Sequence, residues 1–322
     1  MIMHRIVTLT MNPTIDKSTT VYNVVPEWKL RCQAPRFEPG GGGINVSRAI
    51  MKLGGTSLVL YAAGGPQGEV LEHLLELEDL DHHRIKTEGW TRENLTVYEE
   101  TSGQQFRFDM PGPEMKKEEW ECCLRELEET EPMPAYVVAS GSLPPGAPQD
   151  FYGRVAVIVR RNKARLIVDT SGDALNLAVE EGVYLIKPNL RELGHLAGKK
   201  IECEAHQKEV AGKIVEKNKS EAVVISLGAA GALLVTREGS CRFRAPMVPI
   251  ESKVGAGDSM VGGIVLALAR GESLLEAVRM GIAAGSAAVM TPGTELCRRE
   301  DAERLYKAMK RNEEGTREEG FQ

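Results

Sequence analysis

Short, largely apolar runs recur along the chain, separated by longer stretches whose apolar positions fall three and four residues apart. The first pattern predicts strands buried on both faces, and the second predicts amphipathic helices. Strands are expected over residues 4–10, 57–62, 135–139, 164–168, 183–186 and 222–225. Helices are expected over 44–53, with Gly54-Gly55 as the stop, over 69–78 and 116–129, after Gln149, and over 260–269. Alternation of this kind predicts an α/β fold: a mostly parallel sheet covered by helices on both faces. Ligands of such sheets bind beyond the carboxyl ends of the strands, so chemistry is sought in the polar and glycine-rich segments there.

Two regions break the alternation. Residues 18–25 and 29–37 read as extended and lie among Pro26, Pro35 and Pro39. Residues 94–98 and 104–108 flank the turn Thr101-Ser102-Gly103, the pattern of a β-hairpin. Together they predict a small antiparallel β lid, 15–37 plus 92–109, projecting from a discontinuous main domain of 1–14, 38–91 and 110–322. The exposed face of such a sheet needs cover, and closing over a site or pairing with a second subunit supplies it. The polar tail 312–322 is expected to fray.

Composition narrows the class. The 322 residues are 42% hydrophobic and 27% charged, which suits one large domain with a small appendage. No apolar run is long enough to span a membrane, and the first residues lack a signal-peptide pattern, so a cytoplasmic protein is expected. The six cysteines form no C-x-x-C pair and read as reduced thiols without chemistry. A net charge of −6 argues against a nucleic-acid binder. It leaves room for a small anionic substrate held by a local cluster of Arg and Lys.

The segment Val254-Gly255-Ala256-Gly257-Asp258-Ser259 runs into an apolar helix. Helix starts leave unpaired N–H donors and a partial positive charge, so they attract anions. A carboxylate beside such an anion hole suits phosphoryl transfer, although Asp is also a common N-cap. The run Gly40-Gly41-Gly42-Gly43-Ile44-Asn45 lets backbone approach a ligand and offers an amide to a polyol. Asp16 follows the first strand and can accept from sugar hydroxyls or close an Asx turn. Lys29, Arg31, Arg92 and Arg107 lie in or beside the lid, where several together would clamp a phosphate. Ser140 to Gly146, including Ser142, supply hydroxyls and a rigid turn. In Lys187-Pro188-Asn189-Leu190-Arg191-Glu192, Asn189 and Glu192 share one side of a helical turn. They suit either water-mediated Mg²⁺ binding or a capping box.

The Gly-Ala-Gly-Asp segment, the glycine-rich Asn45 segment and the Asn189-x-x-Glu192 motif, in this order, resemble the ribokinase-like (PfkB) sugar kinase family from about Ile6 to Tyr306. Residues 29–46, Trp90-Thr91-Arg92 and Ser171 to Leu175 most resemble its bacterial minor 6-phosphofructokinase branch. The resemblance implies ATP-dependent phosphorylation of fructose 6-phosphate at the 1-hydroxyl. Asp258 would be the base, with Gly255, Ala256 and Gly257 as the anion hole. Asp16, Gly41, Asn45 and Ser142 would hold the sugar, and Lys29, Arg92 and Arg107 its 6-phosphate. Lys187, Asn189 and Glu192 would serve MgATP, with Ser226, Gly228, Gly231, Ile282 and Ser286 lining the nucleotide pocket. A K⁺ site would match Ser252, Val254, Ala288, Thr291, Gly293 and Glu295, where Thr291 and Glu295 depart from the branch's Asn and Arg. The resemblance further implies a homodimer joined through its lids. Tagatose-6-phosphate kinase and 1-phosphofructokinase share the motifs. A non-catalytic sugar-phosphate binder is the alternative from another class. A dinucleotide-dependent oxidoreductase is disfavoured because no G-x-G-x-x-G follows the first strand.

Overall fold

The structure, a computed structural model, describes residues 6–319, with side chains described as far as Arg311. In chain order the strands are β1 (Ile6–Thr10), β2 (Thr14–Val21), β3 (Arg36–Gly40), β4 (Leu58–Gly64), β5 (Asp81–Thr87), β6 (Arg92–Glu99), β7 (Gln105–Phe108), β8 (Tyr136–Ser140), β9 (Arg165–Asp169), β10 (Val183–Ile186), β11 (Ser220–Ser226), β12 (Ala232–Thr236) and β13 (Gly239–Phe243). The helices are α1 (Gly42–Lys52), α2 (Gly65–Leu77), α3 (Lys117–Glu128), α4 (Phe151–Arg161), α5 (Gly172–Glu181), α6 (Leu190–Ala197), α7 (Glu204–Glu216), α8 (Ala256–Ala269), α9 (Leu274–Ala288) and α10 (Arg299–Glu319).

Nine strands form one sheet in the order β13-β12-β11-β10-β9-β8-β1-β4-β5, parallel from β11 to β5, as the alternating pattern predicts. Successive side chains of a strand point to opposite faces. Val7 and Leu9 of β1, with Val137 and Ala139 of β8, therefore join one core beneath Trp120, Phe151, Leu175, Leu193 and Val210 of α3 to α7. Ile6, Tyr136 and Val138 face the other way, onto Val46, Ile50, Ile264, Val278 and Leu305 of α1, α8, α9 and α10. Both faces are covered, and this is why the strands read as continuous apolar runs rather than alternating ones.

Three strands are not among those that the sequence pattern predicts. The charged edge strand β5, Asp-His-His-Arg-Ile-Lys-Thr, buries only Ile85 fully and carries no apolar pattern. The antiparallel pair β12–β13 turns through Arg237 and Glu238 onto Gly239, without the Asn-Gly or Asp-Gly pair that marks such turns most plainly.

The second sheet is the lid, ordered β3-β2-β6-β7. Its outer pairs, β2–β3 and β6–β7, are antiparallel, and its central pair β2–β6 is parallel from Thr14↔Arg92 to Val21↔Glu99. The hairpin closes on Gly103, whose N–H bonds Glu99 O at 2.9 Å. The expected extended segment 29–37 is a correction: regular pairing begins only at Arg36. Pro26 and Pro35 remove backbone donors, and Glu27 takes a left-handed φ of 64°, so the intervening chain loops out. That loop is tied back by Gln33 N to Thr20 O at 2.9 Å and Thr19 Oγ1 to Gln33 O at 2.8 Å. The tail expected to fray continues α10 to Glu319, its Glu and Arg residues being strong helix formers. Residues 320–322 lie outside the described residues.

Candidate active site

The lid is rooted at the carboxyl edge of the main sheet, because β2 follows β1 directly and β3 leads into α1. The chemistry-bearing segments meet at that edge. Helix α8 opens on Gly255, the N-cap, at a φ of 71°. A Cβ there would lie 2.2 Å from Leu296 Cδ2, so both conformation and space require glycine. Asp258 is the third residue of the helix and does not cap it. Its Oδ2 instead accepts from Asn45 Nδ2 at 3.0 Å, across 213 residues of chain. Burial pushes the Asp258 carboxyl up to about 7, aided by the Asp169 charge and opposed by the Asn45 hydrogen bond and the Lys187 ammonium.

Asp169, at the carboxyl end of β9, has no role in the sequence reading. Here its Oδ1 pairs with Lys187 Nζ at 3.1 Å, and both side chains are nearly buried. The position carries a signal of its own, a carboxylate at the carboxyl end of a buried apolar strand. Burial works to lower the Lys187 pKa, but the Asp169 pairing outweighs it and the net shift is upward, so the ammonium stays charged. A Cβ on Gly257 would lie 3.4 Å from Lys187 Nζ, which places that cation against the first turn of α8. The helix start therefore combines free amides, a neighbouring cation and a carboxylate that titrates near neutrality.

Asp16 sits on β2 against Gly40 and accepts from Asn94 Nδ2 at 3.2 Å. Burial lifts its carboxyl to about 6, with Asn94 and Arg92 acting in opposition. Gly41 holds a φ of 115° with Thr10 Cγ2 2.7 Å from where a Cβ would stand, so the turn into α1 lies flat on the end of β1. Ser142 Oγ accepts from Asn12 Nδ2 at 3.3 Å. Arg92 donates to Met110 O at 2.9 Å and Asn12 O at 3.1 Å, and its buried Nε has no partner among the described residues. Lys29 is exposed on the loop and forms no ion pair among the described residues, and Arg107 stands on the exposed edge, 3.8 Å from Asp109. The structure thus joins Asp16, Asn45, Arg92 and Asp258 to one edge, and leaves Lys29 and Arg107 on the open lid.

Asn189 is the N-cap of α6. Its Oδ1 accepts from Arg191 N at 2.9 Å and Glu192 N at 3.0 Å, while Glu192 Oε2 accepts from Asn189 N at 2.8 Å. The motif forms a capping box, which uses one oxygen of Glu192 and leaves Oε1 outside it. Burial raises the Glu192 carboxyl above its ordinary value. Among the described residues no cluster of three or more His, Cys, Asp or Glu could cage a metal. Mg²⁺ needs no such cage, because it keeps waters and takes substrate phosphates, so Glu192 and Asp169 at this edge fit it.

A cavity of about 630 Å³ opens from the α8 start and is lined by Ser226, Gly228, Gly231, Met260, Ile282 and Ser286. A second cavity of about 870 Å³ lies at the opposite edge, among Arg160, Arg165, Glu181 and Glu221, away from every group above. Near Gly255, Ser252 N lies 3.3 Å from Val289 O, and Thr291 Oγ1 donates to Ala288 O and Leu296 O at 2.8 Å each. Val254 N donates to Ser252 Oγ at 3.2 Å, and Gly293 turns the loop at a φ of 59°. These carbonyls and hydroxyls are hard oxygen donors that suit a monovalent cation, whereas Glu295 is turned aside to Arg298 at 2.7 Å.

A family model described as pfkB family carbohydrate kinase matches residues 7–301. The chain is 47% identical over 302 residues to the ATP-dependent 6-phosphofructokinase isozyme 2 of Mycobacterium tuberculosis, covering 94% of this chain and 89% of that one. It is 43% identical over 310 residues to the protein of the same name from Escherichia coli, covering 96% of this chain and 100% of that one. Its fold superposes on the crystal structure of Escherichia coli phosphofructokinase-2 in complex with potassium with a TM-score of 0.92, at 42% identity, over 96% of this chain and 100% of the other. A helix start bearing a near-neutral carboxylate, a nucleotide-sized cavity beside it and this breadth of similarity agree, and the chain belongs to the pfkB family of carbohydrate kinases.

Proposed function

We propose that this chain transfers the γ-phosphoryl group of ATP to the 1-hydroxyl of fructose 6-phosphate, giving ADP and fructose 1,6-bisphosphate. The observation that carries the reading is Asp258. It lies in the first turn of α8, free of capping, oriented by Asn45 and poised near pH 7 beside the amides of Gly255, Ala256 and Gly257. A base with that pKa is ionised often enough to act and basic enough to take a hydroxyl proton. The amides and Lys187 face the charge that develops on the transferred group. The adenosine part of ATP would occupy the cavity lined by Gly228 and Ser286, and its phosphates would point to the α8 start, where Ala256 and Gly257 line the same cavity. Glu192 and Asn189 would hold Mg²⁺ through its waters, and the ion would supply charge neutralisation to the phosphates, while Asp169 fixes Lys187.

On the sugar side, Asp16, Asn45, Ser142 and the Gly41 backbone take the hydroxyls. Arg92 takes the 6-phosphate from the root of the lid, with Lys29 and Arg107 completing the clamp as the lid closes. K⁺ would sit in the 252–254 and 288–295 loops, supporting the helix start. Tyr22, Trp28, Phe37, Tyr98 and Phe108 are all exposed on the lid, and pairing with a second lid would cover them. The substrates are metabolites of the cytoplasm, and we place the enzyme there. The decisive experiment measures ADP release with MgATP and fructose 6-phosphate, fructose 1-phosphate, tagatose 6-phosphate or free fructose. Fructose 6-phosphate should give the highest kcat/KM, and a higher value for any of the others overturns the substrate assignment.

A further inference from the structure

Arg48 is the largest fully buried side chain in the described residues, at 2% exposure, and the phosphoryl-transfer reading gives it no work. It lies one helical turn after Asn45 on α1, so the two side chains share a face. Its Nε and Nη2 bind the two oxygens of Glu78 at 2.8 and 2.7 Å, a bidentate pair with the residue that ends α2. The remaining nitrogen, Nη1, donates to Pro39 O at 3.2 Å, Thr294 O at 3.1 Å and Asn45 Oδ1 at 3.4 Å. Glu38, 3.5 Å from Nη2, in turn accepts from Thr294 Oγ1 at 2.5 Å. One guanidinium thus ties together the lid strand β3, the end of α2, the loop after α9 and the helix that carries Asn45.

The contact with Asn45 has a chemical consequence. A guanidinium has donors and no acceptor, so Asn45 must present its carbonyl oxygen to Arg48. Its NH₂ group is then forced toward Asp258, where it donates at 3.0 Å. Without Arg48 the amide is free to flip and set an oxygen against the Asp258 carboxylate. We propose that Arg48 is a positioning residue for phosphoryl transfer, which fixes the Asn45 amide and through it the carboxylate of Asp258. The inference rests on the reading of Asp258 as the base.

The experiment compares Arg48→Lys, Asn45→Ala and the combined variant, following kcat against pH and thermal stability. Lysine keeps the charge beside Glu78 but cannot also reach Asn45 with a fixed fork. Arg48→Lys should lower kcat roughly tenfold, the scale of a misaligned reacting group. It should also move the acidic limb of the kcat profile to higher pH, because a lost donor no longer favours the ionised carboxylate. The combined variant should be no slower than Asn45→Ala, since the two act as one unit. A fully multiplicative fall, or an unmoved kcat and limb in Arg48→Lys, overturns the proposal. If that variant does not fold, Arg48→Met with Glu78→Met removes both charges of the pair, leaves neither stranded against the other, and should show the same limb shift. Wild-type kcat and limb in that protein overturn it too. Asp258→Asn run in parallel separates the two levels. An active Asp258→Asn enzyme removes the base assignment itself, whereas an inactive one beside unshifted Arg48 variants removes only the positioning role.

Discussion

At the start of α8 the charged groups are paired before any substrate arrives: Asp169 with Lys187, and Asp258 with Asn45. On the lid Lys29 is exposed with no ion pair among the described residues, and Arg107 is exposed and held loosely by Asp109. The first region is set in the carboxyl edge of a sheet buried on both faces, and its geometry follows from the core. The second rests on a four-stranded sheet that carries exposed aromatic side chains, and its geometry depends on what covers them. Electrostatic preorganisation is worth most where water is excluded, so reaction chemistry belongs to the first region. Recognition of a charged, variable substrate belongs to the second, which can close over it.

The largest effect expected from breaking the buried region is that of Asp258→Asn. Turnover should fall roughly 10²-fold or more, as for loss of a general base, with little change in substrate KM. Near-normal turnover would remove Asp258 from that role. The same variant should gain thermal stability at pH 8. A carboxyl raised from 3.8 to about 7 stabilises the fold only while protonated, and that contribution is lost as pH rises from about 4 through 7. The gain should therefore disappear near pH 4, and a gain independent of pH would contradict the titration. In the wild-type enzyme kcat should rise with pH through about 7, and a profile flat from pH 5 to 8 would say that another group accepts the proton.

Lys187→Ala should come next. It strands Asp169 beside Asp258 and should cost about 3–5 kcal/mol of unfolding free energy, as for a broken buried pair. Its rate loss should be greatest on the acid side of pH 7 and should shrink at higher pH, because the base is then pushed to a still higher pKa. On the lid, Arg92→Ala should raise the KM for fructose 6-phosphate roughly tenfold or more while leaving kcat within a small factor, as loss of a charge-assisted phosphate contact does. Lys29→Ala should show the same pattern more weakly, and less so at high salt, because the residue is exposed. Equal effects of Arg92 and Lys29 would mean that the clamp is fully formed without closure.

The two regions also differ in how far the amino-acid sequence discloses them. The parallel core is legible because both of its faces are apolar, so each strand stands out as a run. Asp258, Asn45, Asn189 and Glu192 are legible because glycines, a helix start or a three-residue spacing frame them. Asp169 was not, since its partner Lys187 is reached only through adjacent strands of the folded sheet. Arg48 reads as an ordinary charge on a helix until packing buries it. The lid was legible as a small second sheet but not in its pairing, because β2 and β6 run parallel across distant chain and the loop from Tyr22 to Pro35 is anchored by isolated hydrogen bonds that leave no periodic pattern.

The parallel pairing at the centre of the lid bears on the order of assembly. Asp16 and Asn94 are hydrogen-bonded neighbours there, yet they are 78 residues apart in the chain. The intervening chain is α1, β4, α2 and β5, which belong to the main domain, together with β3. Closing so long a loop costs entropy that no local turn offsets, unless the intervening chain is already compact. The lid is then the last part of the molecule to form on refolding. Pulse-labelled hydrogen exchange should find the amides of β4 and β8 protected before those of β2 and β6, and simultaneous protection would contradict that order.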